Sequence, residues 1–438
     1  MVRETAARVP HEAGMAEGQA TASIRPSGLG PVVPRPEPRG GRIGPFRLHQ
    51  LVLVEVAVAV LLLAWVADPL LTVPAGVVAA ALVLLAVAQR RQRPVPEWLA
   101  ATIALRRRKR LAAGPIPSGT DPEFAPVVEC DPSLRTYTYT DERRRRSVGM
   151  TGDGTFLTAV LRVEAEDVPL RPSRTARSLP LGLLGAALDV DGIRLESVQV
   201  VQHTRPAPAP YLPAQAVAAR SYAALQEQSG APAVRLTWIA LKLDPELCPE
   251  AVQARGGGLV GAQRALVRVA DQLASRLTGA GFKATLLSER ELIAAVATSA
   301  VVNPLANAQA QAGRSGGVQR RTLETSRAWR CDDRWHTTYW IGRWPRLGPG
   351  AAPAPNLVAL LTSLPTLAST FALTVSRGTG GGPALTGYLR VTGRNEDELT
   401  AARRRLERMA RGVKAGLMRL DHEQLPGVLA TLPLGGTC

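Results

Sequence analysis

Two long apolar segments stand almost back to back near the N-terminus of this 438-residue chain. The first, residues 48–67, is LHQLVLVEVAVAVLLLAWVA, and the second, residues 70–88, is LLTVPAGVVAAALVLLAVA. Each has about the 20 residues that an α-helix needs to cross roughly 30 Å of hydrocarbon. Because only Asp68 and Pro69 separate them, the sequence predicts a two-helix transmembrane hairpin over residues 43–90. A hairpin buried in a soluble core is the alternative, which the apolar character of every helix face disfavours.

The distribution of basic residues predicts the orientation of this hairpin. Arginines at positions 35, 39, 42 and 47 precede the first segment, and eight basic residues follow the second between positions 90 and 110. The turn between the segments carries only one charged residue, Asp68. Because lysine and arginine concentrate in cytoplasmic loops, we expect both termini to lie in the cytoplasm.

The overall charge points to an anionic partner. The net charge is +17 and the pI is about 10.9. An anionic lipid surface attracts each nearby basic residue by about 1 kcal/mol, whereas aromatic residues make up only 4% of the chain and no nucleic-acid-binding motif accompanies the basic runs. The four cysteines, at positions 130, 248, 331 and 438, are scattered. The sequence therefore predicts membrane lipids rather than nucleic acid as a partner, and reduced thiols rather than disulfides or zinc.

Composition divides the chain into five parts. Residues 1–42 are rich in proline, glycine and arginine, which predicts a disordered tail. After the hairpin, residues 91–126 combine a basic amphipathic helix with a proline-rich linker. In this helix Trp98 can lie at the membrane interface while Arg106, Arg107 and Arg108 reach lipid headgroups; a plain continuation of the second span is the alternative. The remaining chain divides into two cytosolic α/β halves, residues 127–320 and 321–438.

The two halves show the same order of predicted elements. Each consists of two strands, a helix, two strands, a long amphipathic helix, a strand and a helix. The segment GFKATL at 281–286 also matches GVKAGL at 412–417. The predicted fold is therefore a membrane-anchored α/β protein whose cytosolic domain comprises two pseudo-repeats of mixed sheet, each with helices on one face.

Three short motifs could carry chemistry, and each also has a structural interpretation. RGGGLVGAQR contains the GxGxxG spacing of nucleotide-binding turns at Gly256, Gly258 and Gly261, although no strand leads directly into it. Asp189 and Asp191 form a DxD sequence that could hold a divalent cation, or a simple turn. A third group, which we interpret as a hairpin turn because no spacing fits zinc, comprises Cys331, Asp332, Asp333 and His336.

Two further features suggest contacts with partners. Four of the seven tryptophans lie between positions 329 and 344, among arginines. Tryptophan and arginine are enriched at interface hot spots, so Trp335, Trp340 and Trp344 are candidate contact residues, with packing of a half-buried hairpin as the alternative. Glu55 lies inside the first apolar segment, where it could reach the membrane surface or face a partner helix.

The order of these features resembles the EccE family of actinobacterial type VII (ESX) secretion systems. The resemblance covers roughly residues 43–430. It rests on the tight apolar hairpin, the tryptophan-containing basic helix, TWIALKLDP at 237–245, RGGGLVGAQR at 255–264, GFKATLLSERELIAA at 281–295 and the tryptophan-rich hairpin that ends in Trp344 and Pro345.

The resemblance implies a non-catalytic structural subunit of an inner-membrane secretion complex, without cofactor or metal. Its expected partners are a polytopic EccD-like protein, an EccC-like ATPase of the FtsK/SpoIIIE type and an EccB-like subunit. Two alternatives stay open. One is a membrane-anchored glycosyltransferase-like enzyme that uses Asp189 and Asp191, and the other is a monomeric lipid-binding protein held by its basic residues.

Overall fold

The computed structural model describes residues 42–43, 46–68, 72–87, 89–90, 93–112, 119–142, 144–165, 178–205, 216–218, 220–221, 224, 234–312, 320–345, 354–378 and 382–436. The predicted disordered tail, apart from Arg42, lies outside these ranges.

The helices are α1 (Leu48–Ala67), α2 (Thr72–Val87), α3 (Val95–Leu111), α4 (Ala125–Val128), α5 (Leu181–Ala186), α6 (Pro249–Gln253), α7 (Gly258–Gly279), α8 (Glu289–Ala300), α9 (Pro304–Gln311), α10 (Ala354–Thr362), α11 (Glu396–Gly412) and α12 (Gln424–Leu429).

A single twelve-stranded sheet forms the centre of the domain. Its strands are β1 (Arg135–Asp141), β2 (Arg146–Gly152), β3 (Leu157–Ala165), β4 (Ser197–Arg205), β5 (Val234–Leu243), β6 (Phe282–Leu286), β7 (Thr322–Glu324), β8 (Trp329–Cys331), β9 (Arg334–Arg343), β10 (Ala368–Arg377), β11 (Pro383–Gly393) and β12 (Gly416–Arg419). Three separate two-residue ladders pair Arg42–Ile43 with Phe46–Arg47, Gln89–Arg90 with Arg93–Pro94, and Asp189–Val190 with Ile193–Arg194.

The strand order is symmetric about the pair β4–β10. The order along the sheet is β7-β8-β9-β11-β10-β4-β5-β3-β2-β1, with β6 added beside β3 and β12 added beside β9. Each strand of the first half therefore has a counterpart six strands later, and Val200 lies opposite Leu373 in the central antiparallel pair. The matching segments GFKATL and GVKAGL contribute to the equivalent strands β6 and β12. Whether the two halves arose by duplication stays a prediction, as does the boundary at residue 320.

Two details of the predicted sheet are wrong. Every pairing among the described strands of this sheet is antiparallel, so the sheet is not mixed. The halves also share one continuous sheet, and helices cover both of its faces. The first face carries α7 and α11, and the second carries α8 and α12. Sequence periodicity identifies a helix as amphipathic but does not identify the face of the sheet on which it packs.

Alternation along the strands supplies apolar side chains to both faces. In β3, Ala159 and Leu161 lie in the core under α7, whereas Val160 lies in the core under α8. Strands buried on both faces have nearly continuous apolar sequences.

Two of the helices begin at side-chain caps. Ser288 forms a capping box with Glu291 at the start of α8, and Asn395 accepts a hydrogen bond from the backbone N–H of Glu398 at the start of α11.

The N-terminal hairpin consists of α1 and α2, which contact each other. Most large apolar side chains described on α1 and α2 are exposed, and Val66 reaches 86% exposure. The 16 residues of α2 correspond to about 24 Å of helix, and residues 70, 71 and 88 of the predicted second segment lie outside the described residues. Over the described stretches of the chain, no helix meets the length and hydropathy required of a membrane span.

Candidate interaction site

The basic helix α3 docks on the sheet domain with one of its faces. Trp98, Ala101, Leu105 and Arg108 follow each other at spacings of three and four residues, which places them on one side of a helix. Ala101 and Leu105 are buried. The indole ring of Trp98 meets the ring of His422 edge-on, at a centroid distance of 5.7 Å. The helix that was predicted to lie in the lipid interface is therefore attached to protein on this face.

Arg108 is the centre of this attachment. Its Nε and Nη2 donate to Oε2 and Oε1 of Glu324, each at 2.9 Å, and Nη2 also donates to the backbone oxygen of His422 at 2.6 Å. The Glu324 side chain is only 4% exposed. Oε1 of Glu324 also accepts the backbone N–H of Leu425 in the first turn of α12. One carboxylate thus joins α3, β7 and α12, and a two-point arginine–carboxylate contact of this kind has a defined geometry.

A second set of contacts holds the C-terminal end of α3. Arg320 donates through Nη1 to the backbone oxygen of Ala112 and through Nη2 to that of Glu129. Glu129 is buried, and its carboxylate accepts hydrogen bonds from the backbone N–H groups of Arg321 and Thr322 and from the Thr322 hydroxyl. The linker after α3 is therefore joined to the start of β7, the strand that carries Glu324.

The opposite face of α3 is exposed. Leu99 and Ile103 are exposed one turn apart, and Arg106, Arg107 and Arg110 follow them. The three predicted contact arginines therefore separate into two groups, because Arg108 points inward while Arg106 and Arg107 lie on the exposed side. This difference follows from the helical period of 3.6 residues, and the run RRRKR alone does not reveal it.

The tryptophan-rich hairpin does not present a single surface. Trp329 is buried in the core, and Trp335, Trp340 and Trp344 are half-buried. Trp335 packs with the core under α11, whereas Trp340 packs in a small cluster with Tyr388. The two side chains lie on opposite faces because positions 335 and 340 differ by an odd number along one strand.

Trp344 packs within the molecule as well. Its ring meets that of Phe371 edge-on, with 6.4 Å between the centroids. A Cβ atom on Gly387 would approach the indole to 2.4 Å, so the absence of a side chain at Gly387 makes room for Trp344. The core-packing alternative therefore accounts for part of the tryptophan cluster, and the predicted partner role of these residues stays untested.

Both carboxylates of the DxD sequence form ion pairs with arginines. Asp191 accepts Nη2 of Arg268 at 2.9 Å, and Asp189 accepts Nη2 of Arg377 at 3.2 Å. Asp191 has a positive φ of 52° in the turn between two short strands. Among the described residues, no group of three or more acidic, histidine or cysteine side chains could hold a metal ion. These contacts fit the turn interpretation.

The glycine-rich segment forms a helix–helix turn. Gly257 caps α7 with a positive φ of 67°, and the short helix α6, not a strand, precedes it. A Cβ atom on Gly261 would lie 2.4 Å from the backbone oxygen of Val252. The third glycine of the apparent fingerprint therefore allows α6 and α7 to approach closely, and the strand-to-helix turn of a dinucleotide site is not formed.

The acidic cluster after Cys331 also has structural partners. Asp332 accepts two hydrogen bonds from Arg321, both at 2.8 Å, and one from the backbone N–H of Asn303. Burial disfavours the charged form of Arg321, but its hydrogen bonds to Asp332 raise the pKa of the guanidinium above its usual value. His336 points into the core, where its Nδ1 lies 2.9 Å from the Thr392 hydroxyl.

Part of the chain is similar to a known protein family. Residues 231–341 match the family model described as putative type VII ESX secretion system translocon, EccE. The chain is similar to EccE, as the sequence resemblance predicted. No curated protein matches the chain. The part that matches EccE extends from β5 through α7 and α8 into β9, and it includes Glu324, the residue that anchors α3.

Sequence reasoning missed the residues that attach α3. Glu129 and Glu324 are single carboxylates in otherwise ordinary segments, and their partners lie 192 and 216 positions away in the chain. One signal was available: the positions that follow Trp98 at helical spacing are the apolar residues Ala101 and Leu105 and then Arg108. An arginine on the apolar face of a helix predicts a buried acidic partner, although the sequence does not identify which carboxylate that partner is.

Proposed function

We propose that this chain is a non-catalytic structural subunit of a type VII secretion complex at the inner membrane. The attachment of α3 through Arg108 and Glu324 is the observation that carries the proposal. A helix fixed at both ends to a large sheet makes a rigid connection between that sheet and the apolar hairpin that precedes it. The match to the EccE family supports the assignment to type VII secretion.

The exposed apolar surface of α1 and α2 supports membrane insertion. An isolated helix pair that exposes valine, leucine and tryptophan on most sides would aggregate in water. We propose that these helices insert as a two-span hairpin with both termini in the cytoplasm. The free face of α3 supports contact with anionic lipids, because Leu99 and Ile103 lie nearer the hairpin and Arg106 and Arg110 farther along the helix.

Labelling of engineered cysteines tests this topology. The three native cysteines that the structure describes are buried, so background labelling is low once Cys438 is replaced by serine. Asp68→Cys should react from outside the cell with a membrane-impermeant maleimide, whereas Arg106→Cys should react only after permeabilisation. Labelling of both positions from the same side would contradict the two-span hairpin.

The scaffold role requires stable partners. We expect an EccD-like polytopic protein, an EccC-like FtsK/SpoIIIE-type ATPase and an EccB-like subunit to co-purify with the chain in mild detergent. An N-terminal tag suits this purification, because the C-terminal residues lie on the sheet: Thr158 Oγ1 donates to the backbone oxygen of Leu434, and Ser197 Oγ donates to that of Gly435. Mass spectrometry then identifies the partners. A chain that purifies alone would overturn the scaffold role.

A further inference from the structure

A fully buried arginine lies near the middle of the second sheet face without a carboxylate. Arg390, on β11, has 0% of its surface exposed. Its Nη2 donates to the backbone oxygen and the hydroxyl of Ser299 and lies 3.3 Å from the Thr370 hydroxyl. Its Nε and Nη1 have no hydrogen-bond partner among the described residues. Two sides of the guanidinium therefore present donors that no described protein group accepts.

The protein compensates this charge only in part. Ser299 lies in the last turn of α8, whose carbonyl end carries a partial negative charge. Burial lowers the pKa of Arg390 to about 9, which still leaves the guanidinium protonated at neutral pH. Removing an ion from water without a counterion costs several kcal/mol. A small anion in direct contact would offset part of that cost through its attraction to the guanidinium, and its own loss of hydration subtracts from this gain.

Two buried histidines lie on the same face of the sheet as the arginine. Because Arg390 can only donate to Thr370, the hydroxyl proton of Thr370 is free to point to Nδ1 of His203, which lies 2.9 Å from the Thr370 oxygen. This arrangement leaves the proton of the neutral imidazole on Nε2. The Nε2 atoms of His203 and His336 both lack a described partner. Arg390 itself keeps two N–H groups without a described acceptor.

The two imidazoles are neutral for a physical reason. Burial lowers the pKa of His203 and of His336 well below its ordinary value, and the charge of Arg390 contributes in the same direction for both. The three side chains thus lie within electrostatic reach of one another. Of these three side chains, Arg390 carries the positive charge and the two histidines are neutral.

We propose that a monovalent inorganic anion of the size of chloride binds at this site, between the sheet and α8. The Nε–H and Nη1–H groups of Arg390, which have no described acceptor, are its donors. The complete burial of Arg390 limits the ligand to a small ion. A water molecule can accept the same hydrogen bonds but does not neutralise the charge, and the buried positive charge therefore favours an anion.

Unfolding of the full chain in detergent, at constant ionic strength, tests the proposal. Chloride is exchanged for gluconate, which is too large for an enclosed site. Above the dissociation constant of a single site, a tenfold rise in chloride should lower the unfolding equilibrium constant about tenfold. Arg390→Met should abolish this dependence, whereas Arg404→Met, at an exposed position of α11, should retain it. Equal chloride dependence in both variants would overturn the proposal.

A crystallographic measurement covers the case in which Arg390→Met does not fold. Crystals of the unmodified protein grown in bromide should show an anomalous difference peak next to Nε and Nη1 of Arg390. A water molecule at that position without anomalous signal would overturn the proposal. Bromide peaks confined to surface arginines such as Arg404 would also overturn it, because they would show adventitious ions only.

Discussion

Arg108 and Glu324 form an ion pair with two parallel hydrogen bonds of 2.9 Å, across 216 positions of sequence. The arginine belongs to the helix that follows the apolar hairpin, and the carboxylate belongs to the edge strand β7 of the sheet. Glu324 also binds the first turn of α12. A force on α3 is therefore transmitted both to the edge strand β7 and to α12, which covers one face of the sheet. We interpret the pair as the mechanical link between hairpin and sheet.

Removal of Arg108 should weaken this link strongly. Arg108→Ala leaves Glu324 buried without its counter-charge, and breaking a buried pair in this way costs about 3–5 kcal/mol. We expect a lower midpoint in thermal unfolding and faster proteolysis in the linker after α3. Arg106→Ala, on the exposed side of the same helix, should change the free energy of unfolding by less than about 0.5 kcal/mol. Equal effects of the two substitutions would show that α3 is not attached through Arg108.

The order of elements could be predicted from the sequence because each element has a local signal. The period-two alternation of Val234–Leu243 predicts a strand and the helical period of Leu259–Leu277 predicts a helix, and the structure confirms both, with the helix at Gly258–Gly279. The resemblance to EccE is likewise confirmed over part of the chain. The arrangement of the elements was harder to predict. The pairing of Val200 with Leu373, which merges the halves into one sheet, depends on contacts 173 positions apart and has no local pattern.

The candidate site was predictable in composition but not in geometry. The basic run after Trp98 predicts a contact surface, yet only the helical phase separates the inward Arg108 from Arg106. The closeness of Trp335 and Trp340 in sequence predicts one shared surface, but alternation along the strand places them on opposite faces. The acidic partner Glu324 could not be found at all, because a single buried carboxylate has no sequence signature.

Acid should destabilise the domain through its two buried histidines. The pKa of His203 and of His336 is lowered in the folded state, whereas an unfolded histidine has a pKa of about 6.5. The unfolded state therefore binds more protons below about pH 6.5. The free energy of unfolding should be constant above about pH 7.5 and then fall with decreasing pH, by up to about 1.4 kcal/mol per pH unit for each histidine.

Thermal unfolding in gluconate buffers between pH 8 and pH 5 measures this effect without a halide. The charged neighbours of the two imidazoles are the arginines Arg205, Arg334 and Arg390, which oppose protonation. His336→Gln should remove about half of the dependence, and a second substitution at His203 should remove most of the remainder. An unchanged pH profile in the double variant would assign acid sensitivity to other groups.

The glycine-rich turn should respond to substitution as a packing contact. In Gly261→Ala the new Cβ atom would meet the backbone oxygen of Val252 at 2.4 Å, and backbone cannot easily move aside. We expect a loss of about 1–3 kcal/mol in the free energy of unfolding. Gly279→Ala, near the end of the same helix, places its Cβ in open space and should be neutral or slightly stabilising. Chemical denaturation of both variants measures the difference, and a neutral Gly261→Ala would contradict the close packing of α6 on α7.

Substitution of the DxD sequence should leave the protein intact. Asp191 is 46% exposed in its pair with Arg268, and exposed pairs contribute about 0–1 kcal/mol. Asp191→Asn should therefore preserve the unfolding midpoint, co-purification with secretion partners and export. Secretion lost in a complex that still assembles would instead favour the transferase alternative.

Glu55 provides a test of how the hairpin meets its partners. The residue lies within α1 and is exposed, and a charged side chain at the centre of a membrane costs about 2.5–3.5 kcal/mol on insertion scales. A carboxylate retained there should therefore contact a polar group of a neighbouring helix. Glu55→Leu should keep the chain in the membrane fraction, or increase its amount there, while reducing the polytopic partner recovered with it. Val58→Leu, an apolar exchange about one turn away, is the matched control and should change neither quantity. Loss of membrane association in Glu55→Leu would contradict insertion of α1, and full recovery of the partner would show that Glu55 reaches the membrane surface instead.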